Sequence, residues 1–301
     1  MWFSKEAIEA GIAPGGFAIR LRGERHARRH AGYATGDWAG ALAELETMLR
    51  SHRPTGARSR LGRPALSVAL SLGYARFFRL PWSEPLLKRG RWAAFAAAQF
   101  AAQFASASSG SGAAPDSFSF LVEDAPPGAP RLACAIEHAL LVALNELARR
   151  TNTRLISASP WIAAAINLHA RHLPADGWFA AIEDGHLALV MLSEGVAREI
   201  AIAPWPDETS SRHPGTPSDW RISLARLECR MRLRSARPAG LPLILLDASG
   251  RGAVSGPTDL ADLPLVTFAA AEHVAMPERT EAPSTELGVA HLSFALPGAA
   301  A

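Results

Sequence analysis

Cysteine and lysine are nearly missing from this chain. Its 301 residues hold two cysteines, Cys134 and Cys229, and two lysines, Lys5 and Lys88, among 31 basic residues. Two distant cysteines, each in an apolar-patterned stretch, make no disulfide framework and no metal knuckle, so both are expected as buried small hydrophobes in a reducing compartment. Arginine used almost alone, beside abundant alanine, reads as compositional habit. The net charge is only +3 despite a pI near 9.3, which permits weak attraction to anionic surfaces without requiring it. Long apolar runs are absent too. No window reaches the roughly 18–20 uncharged apolar residues that cross a bilayer, and Gln99 and Gln103 interrupt the Ala/Phe-rich run after Trp92. Lys5, Glu6 and Glu9 near the start predict no signal peptide. These absences predict a cytoplasmic protein with no direct membrane insertion, reaching a membrane only through a partner. HExxH, GxSxG, Walker A and CxxC patterns are absent as well, which removes the commonest metal, acyl-transfer and phosphate-loop chemistries.

The organising stretch runs from Leu132 to Ile202. A short apolar strand, Leu132–Ile136, precedes a helix with Leu140, Leu141, Leu144 and Leu147 at helical spacing. Thr153–Ala158 reads as a strand. Pro160 opens a helix over Trp161–His169, since proline does no harm in a first turn. Three strands follow, Trp178–Ile182, His186–Leu192 and Val196–Ile202, joined by turns at Glu183-Asp184-Gly185 and Ser193-Glu194-Gly195. Upstream, Met1–Ala13 is expected as a short leading helix, Phe17–Arg22 as a half-buried strand and Arg25–Ala34 as its mate. Asp37 is the expected N-cap of a helix carrying Trp38, Leu42, Leu45 and Leu49 on one face. Ala65–Leu72 and Tyr74–Leu80 are extended, and a helix ending at Phe104 carries an aromatic stripe. Low-complexity Ser106–Asp116 and the strand Ser117–Val122 come next. Downstream, a helix from Ser218 or Asp219 to Ser235 buries Trp220, Leu224, Leu227 and Met231. Leu241–Leu246 and Leu263–Phe268 are the last strands, and the tail from Ala271 is proline-rich.

This order predicts an α/β protein of two related ribonuclease-H-like lobes, each with a mixed, five-stranded-type sheet flanked by helices. The division expected is 1–175 and 176–301, with an inserted subdomain over about 74–130.

Three stretches resemble one family within the actin-like proteins. Leu66 to Trp82, ending in Leu80-Pro81-Trp82, is followed by a helix with Trp92 near its start and Phe100 further on. Arg131 to Asn167 is the strand–helix–strand–helix run, and Trp178 to Ile202 is the meander. Together they resemble the cytoplasmic scaffolds of bacterial type IV pilus and type II secretion machines, namely the pilus M protein and the cytoplasmic domain of the secretion L protein. The resemblance implies an actin-like fold and a non-catalytic scaffold that binds the cytoplasmic segment of an inner-membrane pilus or secretion protein. It also implies a peptide groove on the first lobe, expected here near Phe77, Phe78, Trp82, Trp92 and Phe95.

The departures bear on nucleotide binding. ATP-binding relatives carry an Asp-containing, Gly-rich turn between the first two strands of each lobe, where backbone N–H groups reach phosphate. In the first lobe the matching region is Ile12–Phe17 or Arg22–Glu24, without that aspartate. In the second lobe Asp184 and Gly185 form a short turn, and Asp247 to Gly252 replaces the double glycine near the adenosine, leaving Asp247 and Gly250 as remnants. The expectation is a degenerate or absent nucleotide site and no cofactor, ATP being the one that a surviving site would take. The alternative is an ATP-dependent enzyme of the superfamily, such as a sugar or acetate kinase relative.

Two histidine pairs, His26/His30 and His169/His172, lack a nearby acid or cysteine and are not expected to hold metal. Arg226, Arg230 and Arg234 line one helix face at intervals of four. No aromatics interleave with them, which argues against nucleic acid and leaves a solvated face, an acidic partner or lipid headgroups. The oligomeric state is open, a homodimer included.

Overall fold

The computed structural model describes residues 7–14, 16–21, 28–31, 38–51, 63–83, 91–104, 115–123, 125–183, 185–204, 220–235, 241–247 and 265–269. The chain begins with β1 (Ala7–Ala13), β2 (Gly16–Arg20), β3 (Arg28–Ala31), α1 (Trp38–Ser51) and β4 (Ala65–Leu70). Next come β5 (Ala75–Leu80), α2 (Arg91–Phe104), β6 (Phe118–Val122), β7 (Arg131–Glu137) and α3 (His138–Arg150). β8 (Arg154–Pro160) and α4 (Trp161–His169) lead to the meander β9 (Gly177–Glu183), β10 (His186–Ser193) and β11 (Val196–Pro204). The described chain ends with α5 (Trp220–Ser235), β12 (Leu243–Asp247) and β13 (Leu265–Ala269). The expected N-cap Asp37, most of the Ser106–Asp116 loop and the tail from Ala271 lie outside the described residues.

The expected leading helix is not formed: from Ala7 to Ala13 the chain is the middle strand of a sheet. Ile8, Ala10 and Ile12 alternate inward and are buried, while Glu9 faces out and pairs with Arg20 directly across on β2. Both edges of β1 are occupied, antiparallel by β2 and parallel by β4. That double ladder satisfies its backbone groups and overrides the helical preference of alanine and glutamate.

Two five-stranded sheets repeat one topology. The first runs β3-β2-β1-β4-β8 and the second β11-β10-β9-β12-β13. In each, the second strand is antiparallel to its two neighbours, and the first strand is parallel to the fourth, which is parallel to the fifth. The helix after the third strand occupies the same place in both, α1 in the first lobe and α5 in the second. α1 buries Leu42, Leu45 and Leu49, and α3 buries Leu140, Leu144 and Leu147, the faces that their spacing predicts.

A third sheet, β5-β7-β6, is inserted between β4 and β8, with β7 antiparallel to both neighbours. Its alternating side chains serve two cores. Phe78, Leu80, Ala133 and Ala135 pack under α2 with Phe100, whereas Phe77, Cys134 and Ile136 join the main core. Phe100 lies 4.8 Å from Phe118 and 5.4 Å from Phe120, tilted or edge-on, geometries that add to the area term for aromatic burial. Cys134 is fully buried as expected, and burial pushes its thiol pKa up. Cys229 is exposed instead, because on α5 it sits two residues past the core-facing Leu227.

Candidate functional site

Both lobes close their first hairpin as tightly as a hairpin allows. β1 and β2 pair up to Ala13↔Gly16, leaving residues 14–15 as the connection. β9 and β10 pair up to Glu183↔His186, leaving residues 184–185, with Gly185 at φ +81°. Two-residue turns have no length to wrap a phosphate. Between the two hairpins sits the short turn that ends β4. Ser71 N–H donates to Ile12 O at 2.8 Å, tying this turn to the first hairpin. Gly73 is squeezed between both: a Cβ there would lie 2.8 Å from Pro14 Cγ and 3.0 Å from His186 Cε1.

Glu183 fills the centre of this junction. It ends β9, a strand buried at every residue. Ser71 Oγ donates to its Oε1 at 2.5 Å while accepting from Gly73 N–H at 3.1 Å. His186 Nδ1 stands 3.6 Å from the same oxygen. Burial pushes the Glu183 carboxyl up to about 7, against the opposing pull of Ser71 and the Leu72 and Gly73 amides. The Trp161 indole N–H adds to that pull, although it falls short of hydrogen-bond geometry. The Gly73 amide, a backbone donor that an anion could use, is turned instead to the Ser71 hydroxyl. In the sequence Glu183 reads only as a turn residue. The available signal was one acid closing the otherwise apolar run Gly177–Ile182.

Of the remnants named from the sequence, Gly185 lies in the β9–β10 turn two residues from Glu183, and Asp247, the last residue of β12, is in register with Ile182 beside it. Asp184 and Gly250 lie outside the described residues. His26 is likewise outside, His30 lies in β3, and His169 and His172 flank the end of α4. Burial and neighbouring His172 hold His169 below its ordinary pKa. Among the described residues no group of three or more His, Cys, Asp or Glu side chains is placed to hold a metal, and no helix is long and apolar enough to cross a membrane.

The expected partner-binding aromatics divide by exposure. Phe77 and Phe78 are interior, on opposite faces of β5. Trp82, Trp92 and Phe95 are half-buried and contiguous, with Trp92 6.2 Å from each of the other two rings. Arg131 lies over Trp92 at 4.5 Å. Its guanidinium donates to Glu123 O at 3.0 Å and Ala125 O at 2.7 Å, which fixes it in place. The cluster is a rigid cation–aromatic surface beside the inserted sheet. Arg226, Arg230 and Arg234 are exposed on α5, on the second lobe.

No family model matches the sequence, and no curated protein matches it. Solved structures do. A PilM–PilN type IV pilus biogenesis complex is similar at TM-score 0.54 and 13% identity, over 87% of this chain and 88% of that one. The cytoplasmic domain of EpsL, an inner-membrane component of the type II secretion system of Vibrio cholerae, is similar at TM-score 0.43 and 11% identity, over 87% and 85%. A Bacteroides thetaiotaomicron protein with an actin-like ATPase fold and unknown function is similar at TM-score 0.48 and 9% identity, over 91% and 95%. At these identities the likeness is one of fold. Taken with the repeated sheet order and the insertion after β4, it makes this chain a duplicated, actin-like α/β protein of the shape seen in the pilus complex.

Proposed function

We propose that the chain is a non-catalytic cytoplasmic scaffold of a type IV pilus or type II secretion assembly, holding the cytoplasmic segment of an inner-membrane partner. The observation that carries the non-catalytic part is Glu183. Its carboxyl lies between the two hairpins and accepts from the Ser71 hydroxyl, which itself takes the Gly73 amide. A nucleotide's phosphates would have to displace a buried acid and would find turns of two residues. The resemblance of Leu66–Trp82, Arg131–Asn167 and Trp178–Ile202 to pilus M and secretion L proteins supports the choice of machine. The similar pilus protein PilM is described in complex with PilN, which supports a partner of that kind. Trp82, Trp92 and Phe95, braced by Arg131, offer the docking surface, since apolar rings with little rotamer freedom make good anchors.

The test is capture of the tagged full chain from gently solubilised cells, with identification of co-purifying proteins by mass. Inner-membrane pilus or secretion components are expected, and Trp92→Ala is expected to release them. Only soluble metabolic proteins, together with micromolar binding of Mg-ATP by calorimetry, would replace this reading with an ATP-dependent enzyme of the same superfamily.

A further inference from the structure

Helix α5 carries two stripes of identical spacing on opposite sides. Trp220, Leu224, Leu227 and Met231 run at intervals of four, three and four and are buried against the second sheet. Ile222, Arg226, Cys229 and Leu233 repeat those intervals two residues further along. Two residues advance a helix by about 200°, so the second stripe points away from the sheet. Ile222 is 51% exposed, Leu233 is 75% exposed and Cys229 is exposed. Large apolar side chains left out at both ends of a seam-like stripe are the pattern by which one helix receives another.

The charge of this face is as unusual. α5 carries five arginines and one glutamate. Glu228 takes Arg232 at 3.6 Å, and Arg234 reaches Glu199 only at 4.0 Å. Arg226 and Arg230 have no acidic partner among the described residues. Like charges four residues apart weaken a helix, so Arg226 beside Arg230 costs stability that no acidic partner among the described residues offsets.

We infer that the outer stripe of α5 is a docking face for an acidic amphipathic helix of a partner protein, with Ile222 and Leu233 as apolar anchors and the three arginines as the charge match. A lipid surface fits less well. Membrane-lying helices keep their basic residues on the polar face, whereas Arg226 stands in the middle of this stripe. A second copy fits less well too, since α5 against α5 sets arginine against arginine. The face belongs to the helix of the second sheet, and the inference stands whether or not the aromatic cluster binds a pilus or secretion protein.

Cys229 lies on the stripe and reports on it without a label. The measurement is its alkylation rate by iodoacetamide in the full chain, followed by mass. The probe is a synthetic amphipathic peptide with leucine on its apolar seam and glutamate beside it, and the control carries lysine in place of glutamate. Cys229 alone is expected to react freely, and the glutamate peptide at saturation to slow it roughly tenfold. The lysine peptide is expected to leave the rate unchanged. Arg226→Glu with Arg230→Glu is expected to abolish protection. Leu233→Ser weakens it without altering charge and serves if the double variant does not fold. Equal protection by both peptides, or by neither, overturns the inference. Protection by phosphatidylserine vesicles but not by the glutamate peptide makes this a membrane face. An unreactive Cys229 in the chain alone means that another part of the chain covers the stripe. Either of those results also overturns it.

Discussion

Ser71 and Glu183 are 112 residues apart in sequence, and 2.5 Å separates the Ser71 hydroxyl oxygen from the Glu183 carboxyl. Both are buried, one at the end of the β4 strand of the first sheet and the other at the end of β9 in the second. The lobes thus meet through a buried side-chain hydrogen bond.

The burial of Glu183 makes stability depend on pH. Burial raises Glu183 from its ordinary 4.5 to about 7, so between those values the folded chain keeps a proton that the unfolded chain has lost. Its stabilising effect is complete below about 4.5, declines as pH rises and is gone above about 7. The expected loss is roughly 3 kcal/mol. Urea unfolding at pH 5 and pH 8 measures it, and Glu183→Gln is expected to remove this pH-dependent component. A difference between wild type and Glu183→Gln that is the same at both pH values would mean that the group titrates alike folded and unfolded.

Gly73 is there for room. Gly73→Ala puts a methyl group 2.8 Å from the rigid Pro14 ring and 3.0 Å from His186, and is expected to cost about 1–3 kcal/mol. Gly11→Ala, on β1 with open space around it, is expected to be neutral or slightly stabilising. Parallel thermal melts of the two variants decide the matter, and equal Tm values would refute the wedge.

Arg131 holds two loop carbonyls and covers Trp92. Arg131→Ala is expected to lose about 1–3 kcal/mol and to loosen the Trp92 ring. Arg131→Lys recovers only part, since an ammonium lacks the planar fork that reaches both carbonyls. Denaturant unfolding of the two variants ranks them, and a lysine variant as stable as wild type would contradict this role.

The cysteines separate by reactivity. Exposed Cys229 is expected to consume one equivalent of a thiol reagent in the native protein. Cys134, fully buried with its thiolate disfavoured, is expected to react only after unfolding. Thiol titration with and without denaturant gives both counts.

Legibility followed the range of the interactions. The helix from Trp161 to His169 has the bounds that Pro160 and its spacing suggest, and the α1 and α3 core faces follow their periodicity. These features are local. β1 was not legible because Ala7–Ala13 holds good helix formers, and what makes it a strand are neighbours as distant as Leu70. β7 read naturally as the start of the run into α3, yet its hydrogen bonds go to β5 and β6, a choice between sheets that spacing does not encode. Cys229 looked interior because its neighbours Leu227 and Met231 are. Glu183 showed as an acid at a turn, and only the folded arrangement brings Ser71 to it.

The place of β8 has a consequence for synthesis. It completes the first sheet beside β4, yet the chain reaches it only after the whole of the inserted sheet and α3 have been made. A nascent chain stalled before Arg154 therefore presents the β4 edge unpaired, and such edges recruit other strands. The inserted sheet, complete at Glu137, is expected to form first and hold α3 in place, so that β8 docks against a surface already built.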